Sequence, residues 1–313
     1  MLNLFQHLTS KVANIQATWR VRSRNKFGMT KANSLKNIEK MKQILVATDF
    51  SNSAANAMEY AMHLAKILNM EVCAIHAIGP TEGINNNTYN AIFIDDYYNN
   101  KRQALKDWVA KFTDQDEFKD IEVNTVCGVG FLKNVIGKYI EEHHVELLVM
   151  GMTGSTNLSG IVGSNVSTIV SAVKIPTLII PLESKFSGVP VITLATDYET
   201  RLSADDVNAL NEMVEAFGSK NMKVLYVAER KDSKYIEAGE SKLQDLIKNA
   251  ELDFNYITDS RPLNGIMQFV EEHDTDILCL VKHHHNIVYR LFNRSTVNQI
   301  MNKTVKAILV LHE

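Results

Sequence analysis

Hydrophobic residues in this chain fall into short continuous runs and longer stripes at helical spacing, alternating from Met41 onward. Leu147–Met150 is a run with the length and content of a buried strand. It stops at Gly151, and Gly154, Gly160 and Gly163 follow in a segment rich in hydroxyl groups. Val166, Ile169, Val170 and Val173 then recur at helical spacing, so the predicted order is strand, glycine loop, helix. Glycines let backbone N–H groups approach an anion closely, and a helix start adds its own donors and the positive end of its dipole. Ser155, Thr156 and Ser164 add hydroxyls. The segment reads either as a phosphate cradle or as an ordinary strand-to-helix turn.

Upstream, Gln43–Thr48 is a continuous apolar strand followed directly by Asp49-Phe50-Ser51, with Ser51 placed to cap a helix. Ala54, Ala57, Met58, Ala61, Leu64, Ala65 and Leu68 mark one face of that helix, Asn69 closes it, and Glu71–Ile78 is the second strand. Such a βαβ unit with uninterrupted apolar strands implies a parallel sheet covered on both faces. Residues 79–100 form a polar, Asn-rich connection. A helix carrying Leu105, Trp108, Val109 and Phe112 follows, then a strand from Ile121 to Val126. Gly128 and Gly130 break the chain before a helix with Leu132, Val135, Ile136, Tyr139 and Ile140, and Ile175–Ile180 is a fifth strand closed by Pro181.

The pattern then restarts. Val191–Asp197 repeats Ile44–Asp49, with Ala-Thr-Asp identical, and Met222–Glu229 stands for the second strand. Asn134, Ile136, Glu141, Glu142, His143 and Leu148 recur as Asn264, Ile266, Glu271, Glu272, His273 and Leu278, at a constant offset of 130 residues. Ala307–Leu311 ends the copy as the fifth strand ended the first. The chain is a tandem duplication with its joint near 184–189, giving one domain over 41–183 and a second over 189–313.

Asp49 and Asp197 fall just past the carboxyl end of a strand, where an open parallel sheet presents its ligand crevice. Each reads as an acceptor for a ribose hydroxyl or base amine, or as a turn Asp. The second copy lacks the glycine loop: Val281 stands for Gly151, His284 for Gly154, and Lys282–His285 fills the segment. Three adjacent histidines on a loop do not converge on one ion, so His283–His285 is not expected to hold a metal. The Glu-Glu-His runs at 141–143 and 271–273 end helices and read as solvated charge, and no catalytic Ser/His/Asp or Cys/His set stands out.

The chain has 313 residues, 45% apolar and 22% charged, the profile of a soluble globular protein. No apolar run approaches the roughly 18 residues of a membrane span. Cys73, Cys127 and Cys279 lie in or beside apolar runs with no CxxC pair, as expected of packed thiols in a reducing compartment. Of 33 Lys/Arg and 36 Asp/Glu, residues 1–40 hold eight and one, leaving a formal charge of −10 on the rest. An acidic body argues against a nucleic-acid surface. Residues 1–40 read as a basic, disordered extension, with a membrane-surface arm or a transit peptide as the functional alternatives.

These residues resemble the universal stress proteins in their tandem form. Met41–Ser51 is similar to the family's first strand and acid, and Gly151-Met-Thr-Gly154 with Gly163-Ser164 is similar to its nucleotide motif. The resemblance covers nearly everything from Met41 to Glu313. It implies two tandem doubly wound α/β domains, each with a five-stranded parallel sheet of the adenine-nucleotide alpha-hydrolase-like kind. It further implies ATP in the first domain, with Ala47, Thr48, Asp49 and Ala77 lining base and ribose, and Gly151, Gly154, Gly163, Ser164 and Asn165 facing ribose and phosphates. Eight residues separate Gly154 from Gly163 where the family pattern has nine, and a one-residue deletion turns a helix start by about 100°. Pairing through the fifth strands (175–180 and 307–311) would make an internal pseudo-dimer, with a homodimer as a further form. The function implied is a cytoplasmic stress-response sensor or regulator that binds an adenine nucleotide, with slow hydrolysis at most. The alternative is a nucleotide-free scaffold that recruits a protein partner.

Overall fold

A computed structural model of the chain describes residues 42–80, 82, 91–152, 164–198, 202–218, 221–228, 233–282 and 304–312. The expected disordered extension, the glycines at 154, 160 and 163, and the histidines at 283–285 lie outside these residues. The first half runs β1 (Gln43–Ala47), α1 (Asn52–Leu68), β2 (Glu71–Ile78), α2 (Ala91–Thr113), β3 (Val123–Val129), α3 (Leu132–Glu142), β4 (Val145–Gly151), α4 (Ser164–Ala172) and β5 (Thr177–Ile180). The second runs β6 (Ile192–Thr196), α5 (Ala204–Phe217), β7 (Asn221–Ala228), α6 (Ser233–Leu246), β8 (Glu251–Thr258), α7 (Pro262–Glu272), β9 (Ile277–Lys282) and β10 (Ala307–His312).

Every residue of β1 is buried, as its unbroken apolar sequence requires. Alternate residues serve opposite faces of the sheet. Ile44 and Val46 pack with Ala57, Met58, Leu105 and Trp108 of α1 and α2. Leu45 packs on the other face with Ile136 and Tyr139 of α3 and Val166 and Ile169 of α4. Ser51 caps α1 by accepting from the Ala54 N–H at 3.1 Å, and Asn69 ends it in the left-handed region at φ 52°.

The strands form one ten-stranded sheet in the order β3-β2-β1-β4-β5-β10-β9-β6-β7-β8. All neighbours are parallel except β5 and β10, which pair antiparallel with Ile179 opposite Ile308 and Leu178 opposite Leu309. Within each half the strand order reverses direction, between β1 and β4 and between β6 and β9, and these are the points where an α/β sheet opens a crevice. The connection after β5 is bound to α1. The buried Asn56 amide donates to the Pro181 and Ser184 carbonyls, both at 2.8 Å, and its oxygen accepts from Lys185 at 2.9 Å. Phe186 stacks on His63, with ring centroids 5.0 Å apart.

Three features depart from the sequence pattern. α2 begins at Ala91, so the last ten residues of the expected polar connection are helical; side-chain pairs such as Gln103–Asp107, 2.7 Å apart, support its solvated face. β3 runs to Val129 and contains Gly128, which pairs with Ala77 rather than breaking the strand. A Cβ at Gly128 would stand 2.4 Å from Cγ1 of Val135, so this glycine admits α3 against the sheet. Finally, α5, α6 and β8 are implied by the five-stranded second domain but were not located by residue pattern. Among the described residues no helix is long and apolar enough to cross a membrane.

Candidate functional site

The chain leaves β1 through a turn built by its own side chains. Thr48 Oγ1 accepts from the Phe50 N–H at 3.0 Å, and Asp49 Oδ1 accepts from the Ser51 N–H at 3.1 Å. Each bond reaches two residues ahead, the local competition that makes Thr and Asp turn formers. Phe50 is thereby held at φ 66°, in the left-handed region. The turn is tied to the second strand, because the Thr48 N–H donates to the Ile75 carbonyl at 2.9 Å and the Thr48 carbonyl lies 2.8 Å from His76 Nδ1. That bond places the ring proton on Nδ1.

His76 is 7% exposed, and its Nε2 is buried without a hydrogen-bond partner among the described residues. Phe50 covers the ring with centroids 4.5 Å apart, and Trp108 of α2 stands 6.1 Å from Phe50. Burial holds the imidazole below its ordinary pKa; Lys101 acts in the same direction, while the Thr48 carbonyl, Glu82 and Asp49 oppose it. Glu82 is the hub of a neighbouring cluster. It accepts from the Gly79 N–H at 2.8 Å and from the Tyr97 hydroxyl at 2.9 Å, and Lys101 Nζ lies 3.6 Å away. Partial burial raises the Glu82 carboxyl, but these three donors outweigh it and leave the net shift downward.

Across the switch point, β4 ends at Gly151. A Cβ there would stand 2.6 Å from Ser53 Oγ and 2.7 Å from the Ser53 carbonyl carbon and oxygen. Glycine at 151 thus lets the end of β4 abut the first turn of α1, a packing role the loop pattern did not announce. Ala47 is buried in the layer of α3 and α4, and Ala77 is half-buried at the end of β2. The structure therefore brings Ala47, Thr48, Asp49, Ala77 and Gly151 to the carboxyl ends of three adjacent strands, β1, β2 and β4. α4 starts at Ser164, followed by the exposed Asn165. The predicted positions Gly154 and Gly163 fall outside the described residues. His76, Glu82, Tyr97 and Lys101 were not singled out from sequence; a histidine inside the apolar run Val72–Ile78 was the available signal.

The second half repeats the turn and fills the space beside it. Thr196 Oγ1 accepts from the Tyr198 N–H at 3.0 Å, with Tyr198 at φ 61°. Tyr226, paired with Thr196 in the ladder, stacks on Tyr198 at 4.9 Å just as His76 meets Phe50. The Tyr235 hydroxyl donates to the Asp197 carbonyl at 2.8 Å, and Tyr198 lies so close to α6 that a Cβ at Gly239 would be 2.3 Å from its ring. Among the described residues a cavity of about 10 Å³ lies there, lined by Leu194, Thr196, Tyr198 and Leu243 among others, with room for about one water.

The repeated Glu-Glu-His runs are helix ends. His143 Nδ1 lies 3.0 Å from the Tyr139 carbonyl with the two rings stacked at 3.9 Å; His273 repeats this on Phe269, at 3.1 Å and 4.0 Å. Each imidazole closes its helix by capping the carbonyl four residues back. Among the described residues no three His, Cys, Asp or Glu side chains gather as a metal set.

Residues 40–181 match the model of the universal stress protein family. A universal stress protein of Methanocaldococcus jannaschii is 26% identical over 147 residues, covering 46% of this chain and 84% of its own. Among solved structures, a universal stress protein from Archaeoglobus fulgidus superposes with a TM-score of 0.65 at 15% identity, covering 86% of this chain and 97% of its own. A protein solved as a putative universal stress protein from Pseudomonas aeruginosa does so with a TM-score of 0.53 at 12% identity, covering 87% and 93%. At these identities the likeness of the two structures is one of fold.

Proposed function

We propose that this chain is a universal stress protein, the family whose model its residues 40–181 match, and that this half binds ATP or a related adenine nucleotide as a sensor or regulator in a stress response. The observation that carries the reading is the Thr48–Phe50 turn, locked by two side-chain bonds at the β1–β4 switch point, beside the end of β4 at Gly151. In this reading Ala47, Thr48, Asp49 and Ala77 line the base and ribose. Gly151, Gly154, Gly163, Ser164 and Asn165 hold ribose and phosphates through backbone N–H groups and the start of α4. The protein acts in the cytoplasm, binds no nucleic acid, and hydrolyses its nucleotide slowly if at all.

The tyrosines around Tyr198 favour a different role for the second half, that of a partner that binds no nucleotide. The two domains, 41–183 and 189–313, act as an internal pseudo-dimer through the β5–β10 pairing, which covers two apolar strand edges at once; a homodimer of the whole chain is compatible with it. Thermal unfolding tests the reading. At ATP about 100-fold above Kd the native state gains about 2.7 kcal/mol, so Tm rises. Gly154→Val, which puts a side chain where phosphate must approach, abolishes the rise. No shift with any adenine nucleotide, in a chain that is otherwise folded, overturns the proposal in favour of a nucleotide-free scaffold.

A further inference from the structure

His76 is a buried polar group that the nucleotide reading leaves without a task. Its ring is fixed on one side: Nδ1–H holds the Thr48 carbonyl at 2.8 Å, while Nε2 has no partner among the described residues. The ionisable groups facing it come from every element around it. Asp49 lies in the turn after β1, Glu82 in the connection after β2, and Lys101 on α2, and the Cys127 thiol is on the paired position of β3. Phe50 and Trp108 close the apolar side. Both carboxylates are already engaged, Asp49 with the Ser51 N–H and Glu82 with the Gly79 N–H, Tyr97 and Lys101.

We propose that His76 is a proton switch on the β1–β2 wall of the crevice. When the ring is neutral, Nε2 is an acceptor that nothing uses, and the Thr48–Phe50 turn stands as described. A proton added at Nε2 turns that atom into a buried cationic donor, and a buried donor without an acceptor is costly. The accessible remedy is a carboxylate, Asp49 or Glu82, which then gives up part of its present bonding. If Asp49 moves, the Ser51 N–H loses its acceptor; if Glu82 moves, the Gly79 N–H does. Acidification thereby reshapes the end of β1 or the connection after β2, and either change alters the crevice. For its consequence on ligand affinity the inference rests on the nucleotide reading above; for the switch itself it does not.

The test is NMR of the nucleotide-free full chain, following the His76 ring and the Ser51 and Gly79 amides from about pH 7.5 to about pH 5, the span in which histidine titrates. The expected result is that the Ser51 or Gly79 amide titrates with the same midpoint as His76. His76→Gln, whose amide N–H still reaches the Thr48 carbonyl, makes that amide pH-independent. In the wild-type background Lys101→Met moves the His76 midpoint up and Glu82→Gln moves it down, which keeps the test decisive if His76→Gln does not fold. Both amides flat while His76 titrates, or no titration of His76 in this range, overturns the switch. With ATP as probe, affinity falls about fivefold or more between the two pH values in the wild type and stays level in His76→Gln. An equal fall in both overturns the link to binding, whereas no binding at either pH removes the nucleotide reading and leaves the amide result to decide the switch.

Discussion

Single side chains set the geometry of the crevice. Thr48, Asp49 and Ser51 each spend a side-chain oxygen on a backbone N–H two or three residues ahead, which turns the chain from β1 into α1 within four residues. Ser51 and Asn69 were legible in the sequence because caps are local chemistry. His76 was not: its role comes from Thr48 and Phe50 in the turn after β1 and from Trp108 of α2, which stands against Phe50. Its depressed pKa has a consequence for stability with a definite sign. The folded state binds the proton more weakly than the unfolded chain, whose value is about 6.5. The stabilisation is present above that pH and is lost as pH falls through it towards the folded value. Urea unfolding at successive pH values should show a decline below about pH 6.5 that is diminished in His76→Gln.

Asp206 is the opposite case. It is fully buried in the first turn of α5, where it accepts from the Ser203 hydroxyl at 2.6 Å and the His312 N–H at 2.9 Å. Burial, with a smaller push from Asp205, raises its pKa despite those two donors. Its contribution is fully present below the unfolded value of 3.8 and is lost as pH rises through the folded one. Asp206→Asn keeps an acceptor for His312 without the buried charge. We expect the variant to be more stable than the wild type at neutral pH and to lose that advantage near pH 4, measured by thermal unfolding. A variant less stable at neutral pH contradicts this assignment.

Among elements, periodicity located those whose apolar residues were dense and misplaced those defined by contact. β1, α1, β2, α3 and β4 stand where the runs and stripes put them. α2 starts early because a helix with a solvated face supported by polar side-chain pairs carries little apolar signal. β3 continues through Gly128 because the reason for that glycine, Val135 on α3, is seven residues away in sequence and adjacent in space. Gly128→Ala should cost about 1–3 kcal/mol by overpacking, and Val135→Ala in the same chain should recover part of it. Additive losses in the double variant would show that the two positions are not in contact. The Glu-Glu-His repeat was legible as a helix end, but its stacked imidazole cap depended on the aromatic four residues earlier.

Over the molecule as a whole, the repeat in the sequence becomes a sheet in which β5 and β10 meet antiparallel and the order of strands is mirrored about them. The Asn56 amide holds the connection between the halves with three hydrogen bonds. Asn56→Ala leaves the carbonyls of Pro181 and Ser184 without this donor, and should cost about 2 kcal/mol or more in chemical denaturation. Loss of half the unfolding transition rather than a shift of the whole would mean that the halves unfold independently. The recurring residue pattern was legible, as was the lack of glycines in its second occurrence. The tyrosines that pack beside its first turn were not, because Tyr198, Tyr226, Tyr235 and Tyr256 are scattered over 59 residues and meet only in the fold.

Binding stoichiometry tests the proposed site most directly. Native mass spectrometry of the intact chain with ATP added should find one nucleotide per chain, and Asp49→Ala should weaken it while leaving the protein folded. Two nucleotides per chain would contradict the proposed nucleotide-free second half, and none would contradict the site proposed at the β1–β4 switch point.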